Sequence, residues 1–280
     1  TDNSGLYYMR ARYYNPKIQR FINVDPIRDG YNWYGYVEGK PILNIDASGL
    51  TLFVDIDETG ENRGKIVELL QQLTDYVLIY DPYTGSIKMS TLLKNPDSNE
   101  IQYKYGNALL REIIRDPRKC MIKTTTGVSR ENDNNGESRI FLNLSENYHP
   151  KILVDNGKGV AVLEKKHNNH ITLAHELIHA YHTMKGITMS KDDYYSEITR
   201  EKIKLKKPVL FYMYDQTGKI NTYLDNSHNE ELYTVGLIVN PNNINDFEFT
   251  ENLIRWEQGL PQRLAYTNET NAINYWSISK

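Results

Sequence analysis

Residues Thr172–His182 read TLAHELIHAYH. They sit inside a longer run, NHITLAHELIHAYHTMK, whose apolar residues recur at helical spacing and which Gly186 follows where a helix stops. On such a helix His175 and His179, four residues apart, project from one face and can hold one metal ion. Glu176 lies beside that face. A zinc ion lowers the pKa of a bound water to about 7, and a neighbouring carboxylate can take that proton and pass it to a leaving amine. The competing reading is a plain core helix with two buried histidines, because Leu173, Leu177, Ile178 and Ala180 supply an apolar face. The helix is the context that the metal reading requires.

Working outward, the residues from Leu50 onward mix strand and helix patterns. LTLFVDI, YVLIYD, GSIKMS, KCMIKTTT, SRIFLNL and GVAVLE read as strands. RGKIVELLQQLTDY, with Ile66, Leu69, Leu70 and Leu73 at helical spacing, and NALLREIIRD read as helices. The polar stretch SRENDNNGES reads as a loop between strands. VLFYMYD-QTG-KINTYLD reads as a hairpin, and NEELYTVGLI and TENLIRWEQGL as helices, the second with Thr250 as N-cap. Residues 186–208 read as a long loop. Strands followed by a long helix and then more helices make an α+β chain rather than alternating β-α-β units.

A catalytic zinc site needs a third protein ligand and one open position. The nearby candidates are His170, His182, Asp225, His228, Glu230 and Glu231. His182 shares the face of His175 but is two turns away, too far to join the same ion. His170 is off the face. The later helix is the expected source, with Glu230 and Glu231 adjacent, one able to face the metal and the other to anchor the free N–H of a ligand histidine.

TLAHELIHAYH followed by EELYTVG resembles the clostridial neurotoxin light chains, and more closely the NleD-like bacterial effector metallopeptidases. Those families are gluzincin-like (zincin-fold) zinc endopeptidases. The resemblance implies Zn2+ held by His175, His179 and Glu231, with Glu230 supporting and Glu176 as general base. In TENLIRWEQGLPQRLAY, Arg263 and Tyr266 have the family's arginine–tyrosine spacing, which implies that they stabilise the tetrahedral oxyanion. It also implies a protein substrate in a target cell.

Residues before 51 differ in kind. Tyr7, Tyr8, Tyr13, Tyr14, Tyr31, Tyr34 and Tyr36 crowd short runs separated by turn residues, the chemistry of hairpins with aromatic cross-strand pairs. ARYYNP, RFINVDP, YGYV and a closing D-x-x-G-L, in that order, resemble the Rhs (YD-repeat) associated core, which ends a β-shell around a variable C-terminal toxin. The resemblance implies residues 1–50 as a core tail and 51–280 as the toxin domain. It further implies autocleavage after Leu50 with Asp25 and Asp29 as the acid–base pair, an Rhs shell and an immunity protein as partners, and secretion or delivery into a target cell. Because the chain opens on Thr1, it reads as a piece of something longer.

Bulk properties narrow the field. A net charge of −3 gives no general attraction to nucleic acid or anionic lipid. No run is apolar and long enough to span a bilayer. The single cysteine, Cys120, excludes an internal disulfide framework and a thiolate zinc cluster, and reads as a buried strand residue. Phosphate-cradling glycine loops are absent, and Ile66 stands where a calcium loop starting at Asp55 would need a bidentate glutamate. The reading that follows is a toxin or effector zinc endopeptidase. The alternative, from another class, is a binding module with a structural or vestigial zinc site.

Overall fold

The computed structural model describes residues 7–9, 12–15, 20–21, 52–95, 101–134, 137–145, 148, 150–165, 168–189, 209–215, 217–225, 227–238, 249–267 and 273–274. Asp25, Asp29, Leu50 and most of the expected 186–208 loop lie outside these residues. At the N-terminus, β1 (Tyr7–Met9), β2 (Arg12–Asn15) and β3 (Arg20–Phe21) form an antiparallel meander, with Tyr7 opposite Tyr14 and Tyr8 opposite Tyr13. These are the tyrosine pairings that the turn-punctuated pattern calls for.

The larger core is built on a four-stranded sheet in the order β4-β7-β9-β8. Strands β4 (Leu52–Val54), β7 (Cys120–Thr124) and β9 (Glu137–Leu142) run parallel, and β8 (Arg130–Asn134) joins the edge antiparallel to β9. Alternation places Leu52, Val54, Cys120, Ile122, Ile140 and Leu142 in the core. Burial pushes the Cys120 thiol well above its usual range, which leaves it inert. Helices α1 (Gly60–Gln71) and α2 (Lys104–Arg115) and the hairpin β5 (Tyr76–Tyr80)–β6 (Ile87–Leu93) extend this core. Gly85 closes the hairpin at φ +75°, and a side chain there would strike the Val54 carbonyl. The structure corrects one expectation here. The polar stretch 129–138 is no loop throughout, because β8 is formed within it. An edge strand pairs on one side only and tolerates polar residues that a hydrophobic-pattern reading passes over.

Helix α3 (Asn169–Lys185) runs through the middle and ends on Gly186 in the left-handed conformation. Leu173, Ala174, Leu177, Ile178 and Ala180 are fully buried. The helix packs on β8 and β9 and against α1 and α2. It also packs against α4 (Asn229–Val235) and α5 (Glu251–Glu257). It is covered on most sides, so its polar residues are buried too, and each needs a partner.

A second sheet has the order β14-β10-β11-β12-β13-β15, from β10 (Leu153–Asp155), β11 (Val160–Leu163), β12 (Leu210–Tyr214), β13 (Ile220–Leu224), β14 (Arg263–Ala265) and β15 (Ile273–Asn274). All its pairs are antiparallel except β11 with β12. Its small core is Leu153, Ala161, Phe211 and Ala265. The sheet presents Arg263, on edge strand β14, and Tyr266, just beyond it, toward the α3 histidines.

Candidate metal centre

His175 and His179 leave α3 one turn apart and meet the first turn of α4. Their Nε2 atoms are 3.1 Å apart, and each lies 3.1 Å from Oε2 of Glu231. The Nδ1 atoms face away. That of His175 is 3.0 Å from Oε2 of Glu251, and that of His179 is 3.1 Å from Oε1 of Glu230. An ionised carboxylate only accepts, so each Nδ1 donates to its own glutamate, and with an ion bound each Nε2 would present a lone pair. The three atoms would then converge as acceptors, an arrangement that a cation satisfies. The triangle they form has the dimensions of donors around one tetrahedral ion with bonds of about 2 Å, and two imidazoles with one carboxylate suit zinc. Among the described residues, His175, His179 and Glu231 are one group able to hold a metal ion.

Without an ion, protons take its place. Burial disfavours the imidazolium of His175, yet the Glu231 and Glu251 carboxylates outweigh it and raise the pKa. Glu230 and Glu231 do the same for His179, more strongly. Burial would raise Glu231, but the two rings hold it far below the usual carboxylate range. Glu176, the neighbour of His175 on α3, is 5% exposed. Burial raises its pKa, the two histidines pull it back, and Glu231 and Glu131 push it up again. A carboxyl poised upward beside a cation site has the character of a general base.

The two adjacent glutamates of α4 take different places. Glu230 sits behind His179. Its Oε1 accepts from Nδ1 of His182 at 2.7 Å as well as from His179, and its Oε2 accepts from the Met189 backbone N–H at 2.7 Å. Burial is outweighed by these rings, and its pKa falls to about 2. His182 is fully buried, stacked on Tyr233 at 4.4 Å, and aimed at Glu230 rather than at the three converging donors. His179, His182 and Glu230 form a second group able to hold an ion, but its carboxylate oxygen already accepts from both rings.

The other sequence candidates are engaged elsewhere. Asp225 accepts from the backbone N–H groups of Ser227, Tyr266 and Thr267 and so fixes the turn that carries Tyr266. His170 is 2.7 Å from Gln258, and His228 is the N-cap residue of α4. Tyr266 stacks on His175 with ring centres 5.8 Å apart, and burial with the Glu231 charge pushes its phenol up, keeping it a proton donor. Arg263 is more committed than its expected role suggests. Its guanidinium donates to Glu251 (3.0 Å), to the Ala265 carbonyl (3.2 Å) and to the Tyr266 carbonyl (2.9 Å), leaving two of its five N–H groups.

Two residues with no sequence signal strong enough to single them out complete the centre. Glu251 is 1% exposed and accepts from His175, Arg263 and, at 2.6 Å, Nε of Arg255. Arg255 is fully buried and also forks onto Glu164 at 2.9 and 3.1 Å. Burial is outweighed by the two arginines, and Glu251 stays ionised. The hint in the sequence is a Glu–Arg pair four residues apart flanking buried Ile254, which reads equally as a surface ion pair.

Fold and site together define an α+β chain with a His-Glu-His donor set centred on one buried helix. The chain belongs to the Peptidase_M91 family of effector proteins, whose profile matches residues 98–266, more than half of its length. It is also similar to toxin subunit YenC2 of Yersinia entomophaga, 37% identical over 88 residues, which are 30% of this chain and 9% of that protein. Toxin protein Tse5 of Pseudomonas aeruginosa is 42% identical over 53 residues, 18% of this chain and 4% of its own. The tRNA nuclease WapA of Bacillus subtilis is 39% identical over 54 residues, 17% of this chain and 2% of its own. The chain therefore spans only a small part of these relatives. No solved structure matches it. Among the described residues, no helix is long and apolar enough to cross a membrane.

Proposed function

We propose that residues 51–280 form a zinc endopeptidase toxin of the gluzincin type, and that residues 1–50 are the tail of an Rhs core from which it is released. The observation that carries this reading is the convergence of His175 Nε2, His179 Nε2 and Glu231 Oε2 at 3.1 Å, with Glu176 on the next helix position. Three donors rather than four leave one coordination position for chemistry, which favours catalysis over a structural site. Membership in an effector family and the toxin names of YenC2 and Tse5 support delivery into a target cell. A tRNA nuclease that shares only a short stretch is consistent with a common segment joined to differing activities.

A bound divalent ion would polarise the scissile carbonyl and acidify a water molecule. Glu176 takes the proton from the attacking water as its oxygen bonds to the carbonyl carbon, and returns it to the nitrogen as the C–N bond breaks. The Tyr266 hydroxyl donates to the oxygen that gains charge. Arg263 positions Glu251 and the Tyr266 turn, and its two remaining N–H groups would be available to the same oxygen. Release from the shell would follow cleavage after Leu50 by Asp25 and Asp29, and an immunity protein would protect the producing cell.

Glu176→Gln removes the base and keeps the donors. The test compares new protein termini in target-cell lysate treated with wild type and with this variant, each loaded with one zinc. Termini produced by wild type alone are expected. Identical termini, or equal toxicity of the two proteins, would sink the peptidase reading.

A further inference from the structure

Strand β8 ends the four-stranded sheet beside α3 and is paired on one side only, with β9. Among the described residues its outer edge carries no partner strand. Glu131 is opposite Ile140 and Asp133 opposite Ser138. Residues opposite one another share a face, and Ile140 and Ser138 are buried, so Glu131 points inward toward α3. Its carboxyl lies within charge range of His179, Glu176 and Glu230. It therefore borders the metal centre from the sheet side, as Tyr266 does from the opposite sheet.

Glu131 lacks what the other buried carboxylates of the centre have. Glu251 holds two arginines, and Glu230 holds two rings and a backbone N–H. The Oε1 atom of Glu131 is shielded from water and has no hydrogen-bond partner among the described residues. Among the described residues no lysine or arginine forms an ion pair with it. Burial raises its pKa, Ser138 and His179 pull it part of the way back, and the neighbouring carboxylates Asp133 and Glu230 push it up again. A shielded carboxylate oxygen left without a hydrogen-bond partner is costly to a fold, and it persists most readily where something else supplies the partner.

We propose that Glu131 determines specificity at this site, and that the substrate is a polypeptide carrying lysine or arginine next to the scissile bond, its cationic head paired with Glu131. The inference rests on the peptidase reading above. An extended chain laid along the free edge of β8 alternates its side chains, so one in two faces α3 and reaches the Glu131 level. A long aliphatic stem lets the head reach inward from the strand edge, where it meets the carboxylates Glu131, Asp133, Glu176 and Glu230 grouped around His179. A substrate with an acidic residue at that position meets repulsion instead.

The experiment uses the full chain loaded with zinc. Wild type, Glu131→Gln and Glu131→Lys are incubated with a denatured-proteome peptide library, with Glu176→Gln as the blank, and cleavage sites are read by mass spectrometry. The expected wild-type sites are enriched in lysine or arginine at one fixed position. In a peptide pair taken from those sites, lysine against norleucine changes kcat/KM by on the order of tenfold to a hundredfold. That ratio should collapse toward one in Glu131→Gln, and Glu131→Lys should shift enrichment to aspartate and glutamate. Zinc content and melting temperature establish that each variant is folded, and Glu131→Gln, nearly isosteric, keeps the test alive if the lysine variant does not fold. Wild-type cleavage with no basic enrichment, or an unchanged ratio in Glu131→Gln, overturns the Glu131 proposal alone. No cleavage beyond the blank overturns both readings.

Discussion

Oε2 of Glu251 lies 3.0 Å from Nδ1 of His175, on the side of the ring opposite the Nε2 atom that faces Glu231 and His179. The same oxygen receives Nη1 of Arg263 at 3.0 Å, and the other carboxylate oxygen receives Arg255. One buried carboxylate thus fixes the tautomer of a candidate metal ligand and anchors the arginine behind the Tyr266 turn. Glu251→Gln keeps the shape and removes the charge between two guanidinium groups. Zinc affinity should fall by roughly tenfold to a hundredfold, as for other groups behind a metal-ligating histidine. Stability should fall by about 3–5 kcal/mol, because two buried cations lose their common partner. Chelator competition and urea unfolding read the two effects separately. A variant with unchanged zinc affinity would mean that Glu251 serves packing alone.

The neighbouring glutamates of α4 should separate cleanly. Oε2 of Glu231 is one of the three converging atoms, whereas Glu230 meets the two converging rings only at the far nitrogen of His179. Glu231→Gln should bind zinc far more weakly than Glu230→Gln, which keeps all three donors and should lose roughly tenfold to a hundredfold in affinity. Titration with a competing chelator decides the order. The reverse ranking would assign the ligand to Glu230.

How much of this is legible before folding depends on range. His175, Glu176 and His179 are set by one helix, so their juxtaposition follows from spacing of three and four residues. The choice between Glu230 and Glu231 depends on how α4 rotates against α3, which no local pattern contains, and only resemblance to known families favours Glu231. Glu251 and Arg255 meet His175 and Glu164 across 76 and 91 residues of chain. Their burial comes from α5 packing on α3, and in sequence they look like an exposed pair. Strand β8 escaped for the opposite reason: its residues RENDN are those of a loop, and only its register with β9 makes it a strand.

Helix geometry keeps His182 away from the metal donors, and the structure gives it other work. Its Nδ1 atom is 2.7 Å from Glu230, which in turn holds His179. Its ring lies on Tyr233 with planes 14° apart. His182→Phe preserves the stack and removes the donor. Glu230 keeps the Met189 N–H and His179, and the buried Nε2 atom of His182, which has no partner among the described residues, is eliminated with it. The net cost should therefore be small, about 1 kcal/mol. Zinc affinity should fall several-fold while the far-ultraviolet spectrum is unchanged. If affinity holds in His182→Phe and drops only in His182→Ala, the ring acts only by filling space.

Metal and protons compete for the same nitrogens, and this sets opposite pH dependences for the two forms. In the metal-free protein His175 and His179 have raised pKa values. The stability they contribute is fully present below the unfolded value of about 6.5 and is lost as pH rises through the folded pKa values. His182 is lowered and works the other way, one group against two. Glu230, at about 2, and Glu231 and Glu251, lower than usual, contribute stability present above about 4.5 that is lost as pH falls through their folded values. The metal-free protein should therefore be most stable between about pH 4.5 and 6.5, and its melting temperature should decline from pH 6.5 to 8.5. Zinc requires both Nε2 atoms deprotonated, so its stabilisation should grow over that same interval. Scanning calorimetry of chelator-treated and zinc-saturated protein should show the gap in melting temperature widening with pH. A metal-free protein that gains stability through this window would show that the histidines are not proton-bound by Glu230, Glu231 and Glu251, and would remove the electrostatic basis for a cation between them.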